Sequence, residues 1–223
     1  MNAEWTEPLI RIGVEQVIAR LGTPHSVVSA DGSIIDKYVG VVPELLIDVW
    51  RAVGFSGYAD GLLWLCNPDE WQPVVDEWIS DMEMPFHDQW TPFTRTAFGV
   101  LTMWGARTGK SLTIDTQNGL IIPVDQTESM IDELDIDLQV MVALDVRPEV
   151  REFSDKDGDD DEPMFRRVHK RLGDLDASTM YGCVPAVGLG GSFTPRGMQI
   201  VNAVEHVRFL STVTPRQVMN WKF

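Results

Sequence analysis

Residues 95–124, RTAFGVLTMWGARTGKSLTIDTQNGLIIPV, carry the pattern that decides the fold. Segments 95–105, 111–115 and 120–124 are short, apolar and bounded by turn residues, so each predicts a strand. Asn118-Gly119 is a strong signal for a tight turn between the last two. Because the first segment is apolar at both odd and even positions, it predicts a strand buried on both faces. The stretch therefore predicts neighbouring strands joined by hairpin turns.

Inside this stretch, residues 105–111 read GARTGKS, close to the phosphate-binding loop GxxxxGK[ST]. Gly105 and Gly109 are separated by three residues where the phosphate loop has four, so the successive backbone N–H groups would point in other directions. The chain after Ser111 has a strand pattern, whereas a phosphate loop leads into a helix whose N-terminus faces the phosphate. Spacing and flank both argue against nucleotide binding, and they predict a hairpin turn.

Segments with apolar residues at helical spacing surround these strands. They predict helices over residues 8–21, 43–54, 69–82, 126–144, 163–173 and 198–211. Residues 56–68 predict one or two short strands around an Asp60-Gly61 turn, residues 82–93 a connector, and residues 179–192 a strand with a glycine-rich end. The predicted fold class is α+β, with helices packed on small, mostly antiparallel sheets in two parts, residues 1–90 and 91–223.

The composition is that of a chain with a packed core, since 44% of the residues are hydrophobic. No run of 18 apolar residues predicts a membrane span. The opening residues MNAEWTEPLI lack the basic and apolar regions of a secretory signal, so we expect a cytoplasmic protein. Cys66 and Cys183 lie far apart in apolar surroundings, which favours two buried thiols over a disulfide or a zinc site.

The net charge is −16, which is large for 223 residues. Such a charge repels nucleic acid and argues against DNA or RNA binding. It would attract and steer a basic partner. Simple solubilisation by surface acids explains the same number, and charge alone does not separate the two interpretations.

No pattern of catalytic residues stands out. The four histidines, His25, His87, His169 and His206, have no nearby partner that would make a metal pair, and no GxSxG elbow is present. The acidic run DKDGDDDE at 155–162 fails as a calcium loop, because with Asp155 at position one the glycine falls at position four and Arg166 at position twelve. We expect a non-enzyme without cofactor or metal, and the run is either a solvated loop or an acidic docking element.

An ordered series of motifs resembles immunity proteins of the Tdi type, which pair a GAD-like N-terminal domain with a C-terminal immunity domain. The motifs are Gly22-Thr23-Pro24, Val42-Pro43-Glu44-Leu45-Leu46, Asn67-Pro68, Arg95-Thr96-Ala97-Phe98-Gly99, Met103-Trp104-Gly105, Leu172-Gly173-Asp174-Leu175 and Met180-Tyr181-Gly182-Cys183-Val184-Pro185-Ala186. The chain departs from the family at Val100, where an acidic residue is usual, and at Cys183, where phenylalanine is common. Residues 126–162 match least.

The resemblance implies an antitoxin that binds and neutralises a Tde-type DNase toxin delivered by type VI secretion. The partner would be a basic nuclease, and the oligomeric state is left open. Two groups of residues are candidate toxin contacts. They are the acids Asp155, Asp157, Asp159, Asp160, Asp161 and Glu162, and the tryptophans Trp71 and Trp90. Any of Trp64, Trp71 and Trp90 that is exposed could anchor the interface, although most of them are expected in the core.

The resemblance leaves one alternative from a different functional class. A GAD-like domain could act as a ligand-sensing regulatory module, with a pocket near Tyr58, Asp60 and Trp64. A deep pocket with a polar rim would favour the sensor, and a flat acidic surface would favour the antitoxin.

Overall fold

The computed structural model describes residues 11–146 and 162–219. Within these ranges the helices are α1 Val14–Leu21, α2 Gly32–Asp36, α3 Glu44–Val53, α4 Pro68–Ile79, α5 Glu133–Ala143, α6 Met164–Leu172 and α7 Ala203–Val213. The strands are β1 Pro24–Ser26, β2 Gly57–Tyr58, β3 Leu63–Leu65, β4 Trp90–Thr96, β5 Val100–Gly105, β6 Gly109–Asp115, β7 Leu120–Pro123, β8 Thr179–Cys183, β9 Met198–Asn202 and β10 Gln217–Val218. Helices α1, α3, α4, α5 and α6 confirm predicted segments, whereas the short helix α2 was not predicted.

Local sequence signals set several of these boundaries. The Asn67 side chain accepts a hydrogen bond from the Asp69 N–H and caps α4, with Pro68 at the first helical position. Gly54 ends α3 with φ +65, and a Cβ there would lie 2.1 Å from the Val28 carbonyl oxygen. The Asn67 cap and the positive φ of Gly54 are local signals, which is why the sequence predicted the start of α4 and the end of α3 correctly, whereas the Val28 contact is a tertiary one.

The main sheet has the strand order β1-β2-β3-β4-β5-β6-β7-β10. Every pairing in it is antiparallel except that of β10 with β7, and β8 pairs with β9 in a separate two-stranded sheet. Strands on both sides of the predicted boundary at residue 90 belong to the same sheet, since β3 pairs with β4. The α+β class with a mostly antiparallel sheet is confirmed.

The segment predicted as one strand over residues 95–105 is a hairpin instead. Strand β4 begins at Trp90, inside the predicted connector, and ends at Thr96, after which Gly99 adopts φ +78. The Thr96 hydroxyl accepts hydrogen bonds from the N–H groups of Phe98 and Val100 and so closes the turn. The prediction failed because the turn residues Ala97 and Phe98 are apolar and buried, which made the turn look like strand interior.

The predicted helix over residues 198–211 is also two elements. Residues 198–202 pair with β8 as β9, and the helix begins only at Ala203. The Asn202 side chain accepts a hydrogen bond from the Glu205 N–H, which is a helix cap in the middle of the predicted helix. Tertiary pairing with β8 therefore overrode the helical spacing of the apolar residues.

Helices cover both faces of the main sheet. Trp104 of β5 packs in a cluster with α1, α3 and α5, whereas its strand neighbours Leu101 and Met103 pack with α4 and α7. Because successive side chains of a strand point to opposite faces, these clusters lie on opposite sides of the sheet. A third cluster joins α6 and the β8-β9 pair to Phe98 and Trp64. This arrangement confirms that the central strand is buried on both faces.

Candidate functional site

The GARTGKS segment is the hairpin turn between β5 and β6, as predicted. The side chain of Asp88 lies against this turn and is 2% exposed. Its Oδ2 accepts hydrogen bonds from the N–H groups of Arg107 (2.9 Å) and Thr108 (2.8 Å) and from the Thr108 hydroxyl (2.7 Å). Lys110, the second residue of β6, donates its backbone N–H to the Gln139 side chain.

These hydrogen bonds bear directly on whether the turn can bind a nucleotide phosphate. Burial alone would raise the pKa of Asp88, but the hydrogen bonds from Thr108, Arg107 and Gln89 outweigh it, and the pKa lies below its usual value. The N–H groups that would face a phosphate are thus already bound to an ionised carboxylate of the same chain. A phosphate would have to displace that carboxylate, so the turn is built to hold Asp88.

Residues of five chain segments line a cavity of about 220 Å³ beside β4. Its lining residues are Val28, Ser29, Asp31, Ile34, Phe55, Trp64, Leu65, Asn67, Glu70, Trp71, Arg95 and Ala177. The two carboxylate residues, Asp31 and Glu70, are exposed, whereas Arg95 and both tryptophans are buried. The cavity therefore has acidic residues at its solvent side, apolar walls and a buried cation.

Cross-strand pairing places Arg95 in this cavity. Arg95 of β4 is the register partner of Trp64 of β3, so the two side chains share a face of the sheet. The guanidinium carbon lies 4.9 Å from the Trp64 ring centroid and 5.6 Å from that of Trp71, within cation–π range. The Arg95 Nη2 donates to the Ala177 carbonyl at 2.7 Å. Burial lowers the pKa of Arg95 to about 10, so the group remains charged at neutral pH.

The other terminal nitrogen of Arg95 is left without a partner. Arg95 is 2% exposed, and its Nη1 is buried without a hydrogen-bond partner. A buried donor with no acceptor costs free energy, and more so when it is charged. In the sequence, Arg95 stands out only as the first residue of the motif Arg95-Thr96-Ala97-Phe98-Gly99. The signal that would have found it is an arginine inside a strand otherwise made of threonine, proline and aromatic residues.

The predicted pocket residues do not come together. Trp64 lines the cavity and donates its indole N–H to the Gly61 carbonyl at 2.8 Å. Tyr58 is buried in the cluster with α1 and α3, and Asp60 lies exposed on the turn before β3 with φ +56. Neither of these two lines the cavity.

The tryptophans considered as exposed anchors are buried. Trp64, Trp71 and Trp90 have exposures of 1%, 3% and 5%. Trp90 donates its indole N–H to the Ser111 hydroxyl, and Trp71 packs on Arg95. All three therefore belong to the core, as expected for most of them, because the apolar faces of β3, α4 and β4 turn these rings inward. Their role as toxin contacts stays a prediction that no exposed indole supports.

The acidic run falls mostly outside the described residues. Asp155, Asp157, Asp159, Asp160 and Asp161 lie in 147–161, outside the described residues, and Glu162 is exposed just before α6. Helix α6 itself carries a basic surface, with Arg166, Lys170 and Arg171 exposed. The acidic run is thus followed at once by basic side chains, and its assignment as a toxin contact stays a prediction.

A second acidic surface lies in the described part of the chain, which we call the α5 surface. It consists of the exposed residues Asp125, Glu128, Ile131, Asp132, Asp135 and Leu138. Ile131 is 89% exposed and Leu138 44%. Within the described ranges, no basic side chain pairs with any of these four carboxylates. Acidic side chains without basic partners, together with two exposed apolar side chains, make this surface a candidate for binding a basic protein.

The remaining candidates for chemistry are occupied or isolated. Cys66 and Cys183 are free and buried, which confirms the prediction, and burial raises their thiol pKa values to about 12 and about 11. His169 pairs with Asp174 at 2.8 Å. Across the residues that the structure describes, no group of three or more histidine, cysteine or acidic side chains could hold a metal ion. None of the helices in these ranges is both long enough and apolar enough to span a bilayer.

Comparison with known proteins finds two family regions and one similar fold. Residues 13–118 match the family model of the GAD-like domain, and residues 149–214 match that of the C-terminal region of the type VI secretion immunity protein Tdi1. No curated protein matches the chain. Among solved structures, the crystal structure of Atu4351 from Agrobacterium tumefaciens superimposes with a TM-score of 0.77 at 20% identity, over 92% of this chain and 90% of that one.

The likeness to Atu4351 is a likeness of fold, which runs through nearly the whole of both chains. The two family models carry the identity, because they match consecutive regions in the order that the motifs predicted. With a GAD-like domain followed by the Tdi1 C-terminal region, the chain belongs to the Tdi-type immunity proteins of type VI secretion.

Proposed function

We propose that the protein is an antitoxin that binds and neutralises a type VI secreted DNase in the cytoplasm. The observation that carries this proposal is the match of residues 149–214 to the Tdi1 immunity region. The proposed action is stoichiometric binding without catalysis. It would either cover the DNA groove of the toxin or displace its catalytic residues.

Charge supports a DNase as the partner. A DNase presents a basic face to DNA phosphates, and a chain of net charge −16 is attracted to the same face. Electrostatic attraction speeds association, but tight binding also needs apolar groups at the centre of the interface. The α5 surface supplies both kinds of group, because its four carboxylates have no basic partner in the described ranges and its Ile131 and Leu138 are exposed.

The first test is a DNA-cleavage assay with a Tde-type toxin and increasing amounts of this protein. We expect cleavage to stop at one equivalent and a complex to elute as a single species. Complete cleavage in the presence of excess protein, with no complex, would contradict neutralisation of that toxin.

The second test assigns the surface. Ile131→Ser and Leu138→Ser should lower toxin affinity at least about tenfold, since exposed side chains at an interface centre carry much of the binding energy. Val39→Ser is the matched control, because Val39 is 55% exposed and lies outside the α5 surface. Equal affinities of all three variants and the wild type would remove the α5 surface from the interface.

The acidic run is tested in parallel through its salt dependence. Replacing Asp155, Asp157, Asp159, Asp160, Asp161 and Glu162 by their amides should weaken toxin binding and flatten its dependence on salt concentration. An unchanged affinity and salt slope would show that the run is a solvated loop.

Ligand sensing by the GAD-like region is the second candidate function. One observation favours it, the cavity at Arg95 with its buried guanidinium nitrogen that lacks a hydrogen-bond partner. A sensor would bind a small molecule in the absence of any toxin, and this separates the two functions experimentally.

A further inference from the structure

We propose that the cavity at Arg95 binds an amino-acid-sized zwitterion, with the ligand carboxylate on Arg95 and its ammonium group near Glu70 and Asp31. The inference names a ligand for the second candidate function and is independent of toxin binding. It combines three observations, namely the unpartnered nitrogen, the acidic rim and the size and polarity of the walls.

The cation at the bottom of the cavity selects a carboxylate. Arg95 is fixed by two indole rings and by the Ala177 carbonyl, so its Nη1 cannot turn away to find another acceptor without losing those contacts. A guanidinium binds carboxylate with short, charge-assisted hydrogen bonds. Because Nη1 is inaccessible to water in the ligand-free chain, a ligand carboxylate would reach it only after neighbouring side chains shift, and it would then satisfy the buried donor.

The rim selects against ligands that are only anionic. Glu70 and Asp31 line the cavity and are exposed, and Glu70 is close enough to Arg95 to interact with its charge. Two carboxylates at the mouth repel a dianion such as phosphate and attract an ammonium group. A zwitterion matches both ends of this charge arrangement, with its negative end inside and its positive end at the rim.

The walls limit the size of the ligand. Val28, Ile34, Phe55 and Leu65 supply apolar surface between the cation and the rim. A volume of about 220 Å³ lies below that of the pockets that bind drug-sized molecules. An amino acid with an apolar side chain fits this volume and polarity, and a nucleotide does not.

The position of the cavity suggests what binding would change. Arg95 belongs to the region that matches the GAD-like domain, whereas Ala177, which it holds, belongs to the region that matches Tdi1. A carboxylate on Arg95 would therefore act on a contact between the two regions. A ligand there would stabilise the loop before β8 together with β4.

The test is a titration of the purified full chain with each of the twenty standard amino acids, with acetate and with inorganic phosphate. Calorimetry measures the affinity, and tryptophan fluorescence reports on Trp64 and Trp71. We expect at least one apolar amino acid to bind at one site per chain, acetate to bind more weakly and phosphate not to bind. No binding by any amino acid, or phosphate binding as tightly as the best amino acid, would overturn the proposal.

Two variants assign the binding to this cavity. Arg95→Lys should weaken amino-acid and acetate binding at least about tenfold, the loss expected for one charge-assisted hydrogen bond. Glu70→Gln should weaken amino-acid binding roughly threefold and leave acetate binding unchanged or stronger, because only the ammonium contact is lost. Glu83→Gln is the matched control, an exposed acid outside the cavity, and it should bind like the wild type.

Glu70 is exposed, so Glu70→Gln gives a result even where the Arg95 variant does not fold. Amino-acid affinities unchanged by Glu70→Gln and Arg95→Lys would place any binding elsewhere and overturn the assignment. A chain that binds no amino acid but loses toxin affinity in Arg95→Lys would also overturn it, since Arg95 would then meet a carboxylate of the toxin. The titration contains no toxin, so its failure leaves the antitoxin proposal untouched, and the reverse also holds.

Discussion

Two buried charged side chains, Asp88 and Arg95, differ in whether their polar atoms have hydrogen-bond partners, which the sequence does not show. Asp88 sits beneath the GARTGKS turn with its carboxylate bound to two N–H groups and a hydroxyl. Arg95 sits between two tryptophans with one terminal nitrogen bound and the other without a hydrogen-bond partner. The GARTGKS turn resembles a ligand-binding loop, but its N–H groups are bound by Asp88 of the same chain. The sequence around Arg95 resembles an ordinary strand, but Arg95 has a buried donor without an acceptor.

This difference shows that a binding site is better identified by donors without partners than by a motif. A motif shows which backbone groups could meet a ligand, but only the tertiary structure shows whether those groups already have partners. A buried polar group without a partner is costly and is therefore rare. Hydrogen-bond satisfaction, rather than likeness to a motif, separates the turn at Asp88 from the cavity at Arg95.

The largest effect is expected at Asp88. Asp88→Ala should lower the free energy of unfolding by about 3 kcal/mol, because two backbone donors and a hydroxyl lose their acceptor. Chemical denaturation measures the change. Asp125→Ala is the matched control, since Asp125 also accepts hydrogen bonds within a turn, from Thr127, but is exposed, and its loss should be much smaller. Equal losses would mean that the buried carboxylate does not hold the turn.

The same carboxylate should give an acid-dependent part of the stability. The pKa of Asp88 is lower in the folded chain than in the unfolded chain, so its stabilisation is present above the unfolded value near 4 and is lost as pH falls through the folded value. In Asp88→Ala the stability should fall less steeply below about pH 4. An identical acid profile of the variant and the wild type would contradict this assignment.

A smaller effect is expected at Arg95, although this charge is buried as well. Arg95→Met should cost about 1 kcal/mol, because the loss of the Ala177 hydrogen bond and the ring contacts is partly offset by removal of an unpaired buried cation. The measurement is chemical denaturation without added amino acids. A loss as large as that of Asp88→Ala would break the comparison and make Arg95 a structural residue.

His206 offers a third case, a half-buried imidazole with one ring nitrogen, Nε2, that is buried without a hydrogen-bond partner. Burial lowers the pKa of His206, whose Nε2 has no hydrogen-bond partner. The folded chain therefore binds a proton less readily than the unfolded chain, and stability is lost as pH falls below about 6.5. His206→Leu should remove this part of the pH dependence. A wild-type profile that stays flat from neutral pH to about pH 5, or a variant with the same slope, would contradict it.

No effect is expected from nucleotide at the GARTGKS turn. ATP or GTP should leave the melting temperature unchanged in the wild type and in Lys110→Ala alike, since the N–H groups of the turn are held by Asp88. A rise in melting temperature with nucleotide that is lost in Lys110→Ala would reverse this conclusion. It would also show that a filled turn can exchange its carboxylate for phosphate.

The sequence by itself determined the elements whose signals are local. Asn67 and Pro68 begin α4, Gly54 ends α3, and Asn118-Gly119 joins β6 to β7. Each of these residues acts on backbone within a turn of its own position, so no distant contact was needed. The strand patterns on both sides of GARTGKS likewise sufficed to predict a hairpin turn.

The tertiary structure decided whatever depends on residues far apart in the chain. Pairing with β8 made a strand of residues 198–202, and apolar packing hid the turn at Ala97 and Phe98. The cavity is lined by segments that lie between residue 28 and residue 177 in the chain. One of its lining residues, Arg95, has a terminal nitrogen without a hydrogen-bond partner. A sequence records which donors a chain owns, but only the folded packing determines which of them find acceptors.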